Sequence, residues 1–130
     1  MEPPLSNICI TSYNPTGFGI SAINFIKHLL LFSNIICLQE HFLQDSGDKK
    51  NSNTNKLRKA FPNHDMFITP GFKETNRVCK GRAKGGLATL WDPGLTKYVS
   101  KIKCDNFRLQ GTKFSFPDGA QGAIILMTLN

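Results

Sequence analysis

The sequence predicts an α/β fold. Three observations point to it: a strand–helix–strand pattern within the first 40 residues, an unbroken apolar run at 35–38, and a succession of short β-prone segments bounded by turn residues from position 64 onward. Residues 7–13 read Asn-Ile-Cys-Ile-Thr-Ser-Tyr, and the Asn14-Pro15-Thr16-Gly17 that follows is punctuation a strand does not tolerate. From 20 to 31, Ile23, Ile26 and Leu30 recur at helical spacing beside Ala22, Phe25 and Leu29, whereas Asn24, Lys27 and His28 lie away from that stripe. Such a helix packs its apolar face on a sheet. Ser33-Asn34 ends it, and Ile35-Ile36-Cys37-Leu38 has the pattern of a strand buried on both faces. Strand, helix and strand in this order form a parallel crossover.

The remaining segments follow from their punctuation. Residues 44–55 are polar and form a surface loop, and 56–61 is a short helix stopped by Pro62. Residues 64–69 form a strand, 72–85 a basic loop without periodicity, and 86–91 a buried strand turned by Asp92-Pro93-Gly94. Strands are expected at 95–102 and 107–116. In the latter, Phe107 and Leu109 point to one face and Phe114 and Phe116 to the other, so either both faces are covered or Gly111 marks a bulge. Pro117-Asp118-Gly119 is a hairpin turn, and 123–129 the returning strand. Trp91 and Phe114 lie inside strands and are expected in the core rather than stacked on a ligand.

A chain of 130 residues accommodates one domain, and 40% hydrophobic with 19% charged residues excludes a disordered or fibrous polymer. The apolar stretch 20–38 is interrupted by Lys27-His28 and Ser33-Asn34, and Met1-Glu2-Pro3-Pro4 lacks signal architecture, so neither membrane spanning nor secretion is expected. Cys9, Cys37, Cys79 and Cys104 form no CxxC and do not alternate with histidine, which fits reduced thiols in an intracellular, nuclear or cytoplasmic compartment. Cys9 and Cys37, in apolar runs, are expected as small core residues. Residues 1–43 hold Lys27 against Glu2 and Glu40, a net of minus one; with a total of plus seven, the rest of the chain carries plus eight. Lys73, Arg77, Lys80, Arg82 and Lys84 face only Glu74, and Lys97, Lys101, Lys103, Arg108 and Lys113 face only Asp105. Such segregated positive charge suits a polyanion, and nucleic acid is the expected partner.

Two motifs compete for the first crossover. Gly17-Phe18-Gly19-Ile20-Ser21-Ala22 matches GxGxxA and opens a helix after a strand, with Glu40 at the end of the next strand, as in a dinucleotide site. Against it, Asn14-Pro15-Thr16 separates the strand from the glycines, and the later strands lack alternating helices. In the other reading, Asn14 and Glu40 stand just beyond the carboxyl ends of two adjacent parallel strands and meet at one mouth, where an open α/β sheet holds ligands. One carboxylate with waters and phosphate oxygens is how Mg2+ is commonly bound. Taken singly, Asn14 reads as a turn cap before Pro15 and Glu40 as a solvated loop acid.

Ser12-Tyr13-Asn14-Pro15-Thr16-Gly17, Ile36-Cys37-Leu38-Gln39-Glu40-His41, Gly81-Arg82-Ala83-Lys84-Gly85-Gly86-Leu87-Ala88 and Arg108-Leu109-Gln110-Gly111 occur in an order and spacing that resemble the endonuclease/exonuclease/phosphatase family. The closest resemblance is to the endonuclease domain of non-LTR (LINE-type) retrotransposons. It covers residues 7–130 but the N-terminal part of the family domain, with 1–6 as an extension. It implies a partial two-sheet α/β sandwich with helices outside, in which Asn14 is an active-site asparagine and Glu40 a catalytic, Mg2+-binding glutamate. The family hydrolyses phosphodiesters, so DNA becomes the expected substrate, Mg2+ the cofactor, and Arg82 and Lys84 candidate phosphate contacts. Tyr13 stands where the family often has tryptophan.

The later family motifs, a tyrosine, an Asp-x-Asn pair and a C-terminal Ser-Asp-His, have no matching positions, and His28, His41 and His64 do not replace them. The chain is therefore expected to be an N-terminal fragment of a DNA-nicking endonuclease, inactive alone. The alternative is a non-catalytic basic module that binds nucleic acid through residues 73–84. With the partner layer incomplete, an uncovered sheet face including 35–38 and 124–126 is expected to drive self-association.

Overall fold

The computed structural model describes residues 8–45, 53–72 and 84–128. Strands β1 (Ile10–Tyr13) and β2 (Ile35–Gln39) pair in parallel, with Ile10 opposite Ile35 and Tyr13 opposite Leu38, because helix α1 (Ile20–Leu29) carries the chain back between them. Ala22, Ile26 and Leu29 bury the apolar stripe of α1, and Phe25, on its margin, lies against Tyr13 with ring centroids 4.9 Å apart. The helix stops two residues before the expected end. The Leu31 and Phe32 amides turn to the His28 and Leu29 carbonyls, tightening the last turn, and Asn34 then clamps Cys9 through both its backbone N–H and its side-chain Oδ1.

Helix α2 (Asn55–Ala60), strand β3 (Asp65–Thr69) and strand β4 (Leu87–Trp91) follow, and the first sheet has the order β1-β2-β4-β3 with β4 antiparallel to both neighbours. This mixed sheet is not the parallel sheet of a dinucleotide site, so the GxGxxA reading falls away. Strands β5 (Val99–Ile102), β6 (Leu109–Ser115) and β7 (Gln121–Met127) form a second, antiparallel sheet. The fold is a two-sheet α/β sandwich with helices on the outer face of the first sheet.

Alternation along β2 and β4 divides the core. Ile36, Leu38, Ala88 and Leu90 pack toward the helices with Ile26, Leu29, Leu57 and Phe61, whereas Ile35, Cys37, Leu87 and Trp91 pack between the sheets against Phe114 and Leu126. Each large aliphatic side chain buried in this way contributes roughly 1.5–3 kcal/mol. Trp91 and Phe114 are core residues, as expected; Cys37 is buried but Cys9 is exposed. The expected uncovered inner face at 35–38 and 124–126 is present only in part, since Ile35, Cys37 and Leu126 are buried together between the sheets. Beneath β1 the inner face does remain open, as an apolar groove of about 250 Å³ lined by Ile8, Ile10, Ile35, Phe114, Phe116 and Ile124 among others.

Three other differences have local causes. Residues 95–102 are not one strand: Pro93–Tyr98 winds into a 3-10 helix, since Pro93 presents no amide to a ladder and the Leu95 amide bonds to the Asp92 carbonyl. Leu95 is fully buried between the sheets, which made the segment look like a strand. Gly111 marks no bulge: β6 and β7 stay in register from Leu109 opposite Met127 to Ser115 opposite Gln121. A Cβ at Gly111 would lie 2.7 Å from Ile102 Cβ, so glycine is required there by a close approach. The polar loop expected at 44–55 holds a bridge between Gln44 and Asn53 at its ends.

Candidate active site

At the carboxyl ends of β1 and β2 the chain makes two turns that face each other. The Asn14 side chain closes the first: its Oδ1 accepts from the Thr16 backbone amide at 2.9 Å and from the Thr16 hydroxyl at 3.1 Å. This fixes which end of the amide is oxygen, and so aims Nδ2 away from the turn. Nδ2 donates to Glu40 Oε2 at 2.6 Å. The structure thus brings together the two residues singled out from the sequence. Glu40 Oε1 has no partner among the described residues.

Glu40 is held there in an uncommon backbone conformation. Its φ is 61°, and Thr16 and Phe42 are likewise left-handed at 48° and 63°. A left-handed non-glycine residue costs on the order of 1–3 kcal/mol and persists where its surroundings over-determine it. Here they do. The Glu40 amide donates to the Gly86 carbonyl and its own carbonyl accepts from the Gly17 amide, each at 2.8 Å, while the Phe42 amide reaches the Gly85 carbonyl at 3.0 Å.

His41 is the peg of this arrangement. The imidazole is fully buried, Nδ1 accepts from the Leu43 amide at 2.9 Å, and Nε2–H therefore donates to the Leu87 carbonyl at 3.2 Å. Burial pulls its pKa down to about 4, so the ring is neutral at neutral pH. Gly86, at φ 94°, lies against the ring face, and a Cβ there would come within 2.4 Å of Cε1. With both nitrogens engaged by backbone, His41 cannot hold a phosphoryl oxygen; it positions the turn that carries Glu40. The sequence shows only that His41 does not replace the missing family histidine; its burial against Gly86 is seen in the fold. The available signal was a Gly-Gly pair beside a strand whose neighbour is followed by histidine.

Lys84 is exposed, and its backbone pairs with Phe72 in both directions at 2.7 and 2.8 Å, which places it one residue before the Gly85-Gly86 step at this rim. Arg82 lies outside the described residues, as does most of the basic loop expected at 72–85. His28 is exposed on α1, and His64 precedes β3. Neither reaches Glu40 by any described contact. Among the described residues no group of three or more His, Cys, Asp or Glu side chains gathers to hold a metal. Among the described residues, the Glu40 carboxylate, with Oε2 engaged by Asn14, is the group that could hold a hydrated Mg2+ ion.

No family profile matches the chain, and no curated protein does. Among solved structures it is similar to the human Nocturnin catalytic domain with bound sulfate anion, at 14% sequence identity and a TM-score of 0.40, over 79% of this chain and 39% of that one. The chain therefore spans well under half of that structure's length. No helix among the described residues is long and apolar enough to cross a membrane.

Proposed function

We propose that this chain is the N-terminal part of a Mg2+-dependent phosphodiesterase acting on DNA, of the endonuclease/exonuclease/phosphatase type and resembling a retrotransposon nicking endonuclease. The observation that supports the reading is the Asn14–Glu40 hydrogen bond at the rim of two parallel strands, made by a glutamate held at positive φ. Glu40 is the residue that holds the metal, and Asn14 orients its carboxylate without adding charge. When bound, Mg2+ supplies electrostatic stabilisation of charge developing on the phosphate. Asn14 and Glu40 place that charge; Lys84 draws the polyanion toward the rim, as Arg82 does in the same reading.

Among the described residues no group of three or more acidic, histidine or cysteine side chains gathers around Glu40, and both His41 nitrogens are engaged by backbone, so these residues supply neither a full metal shell nor an available histidine for the phosphoryl oxygens. The chain alone is accordingly expected to bind the ion weakly and to turn over no substrate. The test pairs two measurements on the purified chain: Mn2+ binding by electron paramagnetic resonance, with Mg2+ as competitor, and nicking of supercoiled plasmid with Mg2+. Mn2+ binding displaced by Mg2+ and lost in Glu40→Gln supports the assignment; binding indifferent to Glu40→Gln ends it. Nicking that Glu40→Gln abolishes would overturn the claim of inactivity alone.

A second reading, a non-catalytic basic nucleic-acid module, is favoured by the exposed Lys84 at the same rim. Salt-sensitive DNA binding that Lys84→Ala weakens and Glu40→Gln leaves intact, with no Glu40-dependent Mn2+ site, selects it.

A further inference from the structure

Across the Gly85-Gly86 step from Glu40, the structure assembles a cluster that the site above does not use. The Phe72 ring packs on Gly85, where a Cβ would lie 2.7 Å from Cε1. Phe107 meets Phe72 edge to face with centroids 4.6 Å apart, and the Arg108 guanidinium lies 4.8 Å from the Phe72 ring centroid and 5.3 Å from that of Phe107. The Arg108 guanidinium thus lies within cation–π distance of both rings, while its side-chain donors have no acceptor among the described residues. Phe107 is left 52% exposed. It forms one wall of a groove of about 200 Å³ at the ends of β3 and β5, whose other lining includes Thr69, Lys101, Asn106 and Gln110. An open aromatic wall, polar atoms within the groove and a planar cation fixed beside it suit a flat, polar, anionic-backboned ligand. Charge agrees: between residues 97 and 113 five cations face one acid.

We propose that this cluster is a single-strand site: an unpaired base enters the groove and stacks on Phe107, while Arg108 takes the adjoining phosphate. The inference rests on the nucleic-acid reading above and gives it a substrate form, a strand with an unpaired nucleotide beside the phosphate at Glu40. The backbone links the two places, since Gly86 accepts from the Glu40 amide and Gly85 carries the Phe72 ring. A duplex holds its bases in the stack, so it reaches Arg108 through phosphate alone.

The test is fluorescence-anisotropy titration of the purified chain, without divalent metal, against a labelled single-stranded oligonucleotide, its duplex, and an abasic strand of equal length and charge. Aromatic stacking is sequence-tolerant and typically changes affinity about ten-fold per base. The intact strand is expected to bind about ten-fold more tightly than the abasic strand. Phe107→Ala should erase that difference, and Phe107→Leu, which keeps apolar bulk, should erase most of it. Arg108→Lys keeps the charge but not the plane, so it should weaken single-strand binding with little change for the duplex. Thermal melts of each variant establish that it folds. Equal affinity for intact and abasic strands, or an undiminished preference in folded Phe107→Ala and Phe107→Leu, overturns the proposal. The Glu40-dependent Mn2+ site is read separately, by electron paramagnetic resonance on the same Phe107 and Arg108 variants, which should keep it, so failure here and failure of the metal site are separate results.

Discussion

Gln110 is a buried amide between the sheets, and its replacement by leucine tests how the two layers are held in register. Its Oε1 accepts from the Thr89 hydroxyl at 2.8 Å, and its Nε2 lies 3.0 Å from Thr69 Oγ1, 3.2 Å from the Phe67 carbonyl and 3.3 Å from the Leu87 carbonyl. The side chain therefore ties β6 to both β3 and β4. Gln110→Leu conserves volume closely, so the cost is not a cavity. It is the loss of an acceptor for the fully buried Thr89 hydroxyl and of the donor to the Phe67 carbonyl; the Leu87 carbonyl keeps His41 Nε2–H. A buried group left unsatisfied costs about 1–3 kcal/mol, and two such groups, less the gain from burying leucine, come to about 2–4 kcal/mol. For a domain of this size that lowers the melting temperature by roughly 10 °C. Urea denaturation followed by circular dichroism measures it, and a cycle with Thr89→Val isolates the pair. Removing both partners should cost less than the two single changes together by about 1–2 kcal/mol. A Gln110→Leu variant within about 0.5 kcal/mol of the parent, or strictly additive changes, would refute the claim that this amide is what couples the sheets.

Two further outcomes are expected. Gly86→Ala puts a Cβ against the His41 ring at a positive φ, and because the ring is enclosed it cannot step aside; destabilisation of about 3 kcal/mol or more is expected by urea titration, together with loss of Glu40-dependent Mn2+ binding, and a native-like variant would remove His41 from its positioning role. His41 is neutral when folded down to about pH 4 but protonates near 6.5 when unfolded, so the unfolded chain binds more protons between these values and stability rises with pH across that window. The contribution, about 3 kcal/mol, should be fully present above pH 6.5 and lost progressively as pH falls toward 4, and the difference from His41→Gln should shrink in parallel; a slope unchanged in His41→Gln would show that other groups set it.

Much of this molecule was legible in the order of its residues because its signals are local. A helix at 3.6-residue spacing, a four-residue apolar strand and Pro-Gly-Asn punctuation act over a few positions, so β1, α1, β2, β4 and the 117–119 hairpin were found close to where they lie. The parallel pairing of β1 with β2 followed from that order, and with it the meeting of Asn14 and Glu40, since two strands joined by a crossover helix must end at the same rim. Local pattern failed at 95–102, where Leu95 answers to a distant core rather than to a ladder, and Pro93 had the casting vote.

What tertiary structure alone decided are contacts between residues far apart in sequence whose types carry no short-range signature. The neutral His41 peg against Gly86, the Gln110 amide strung between sheets and the Phe72–Phe107–Arg108 cluster each join segments 21 to 46 positions apart. For His41 and Gln110, burial, by withdrawing water from their polar atoms, is what makes each partner obligatory.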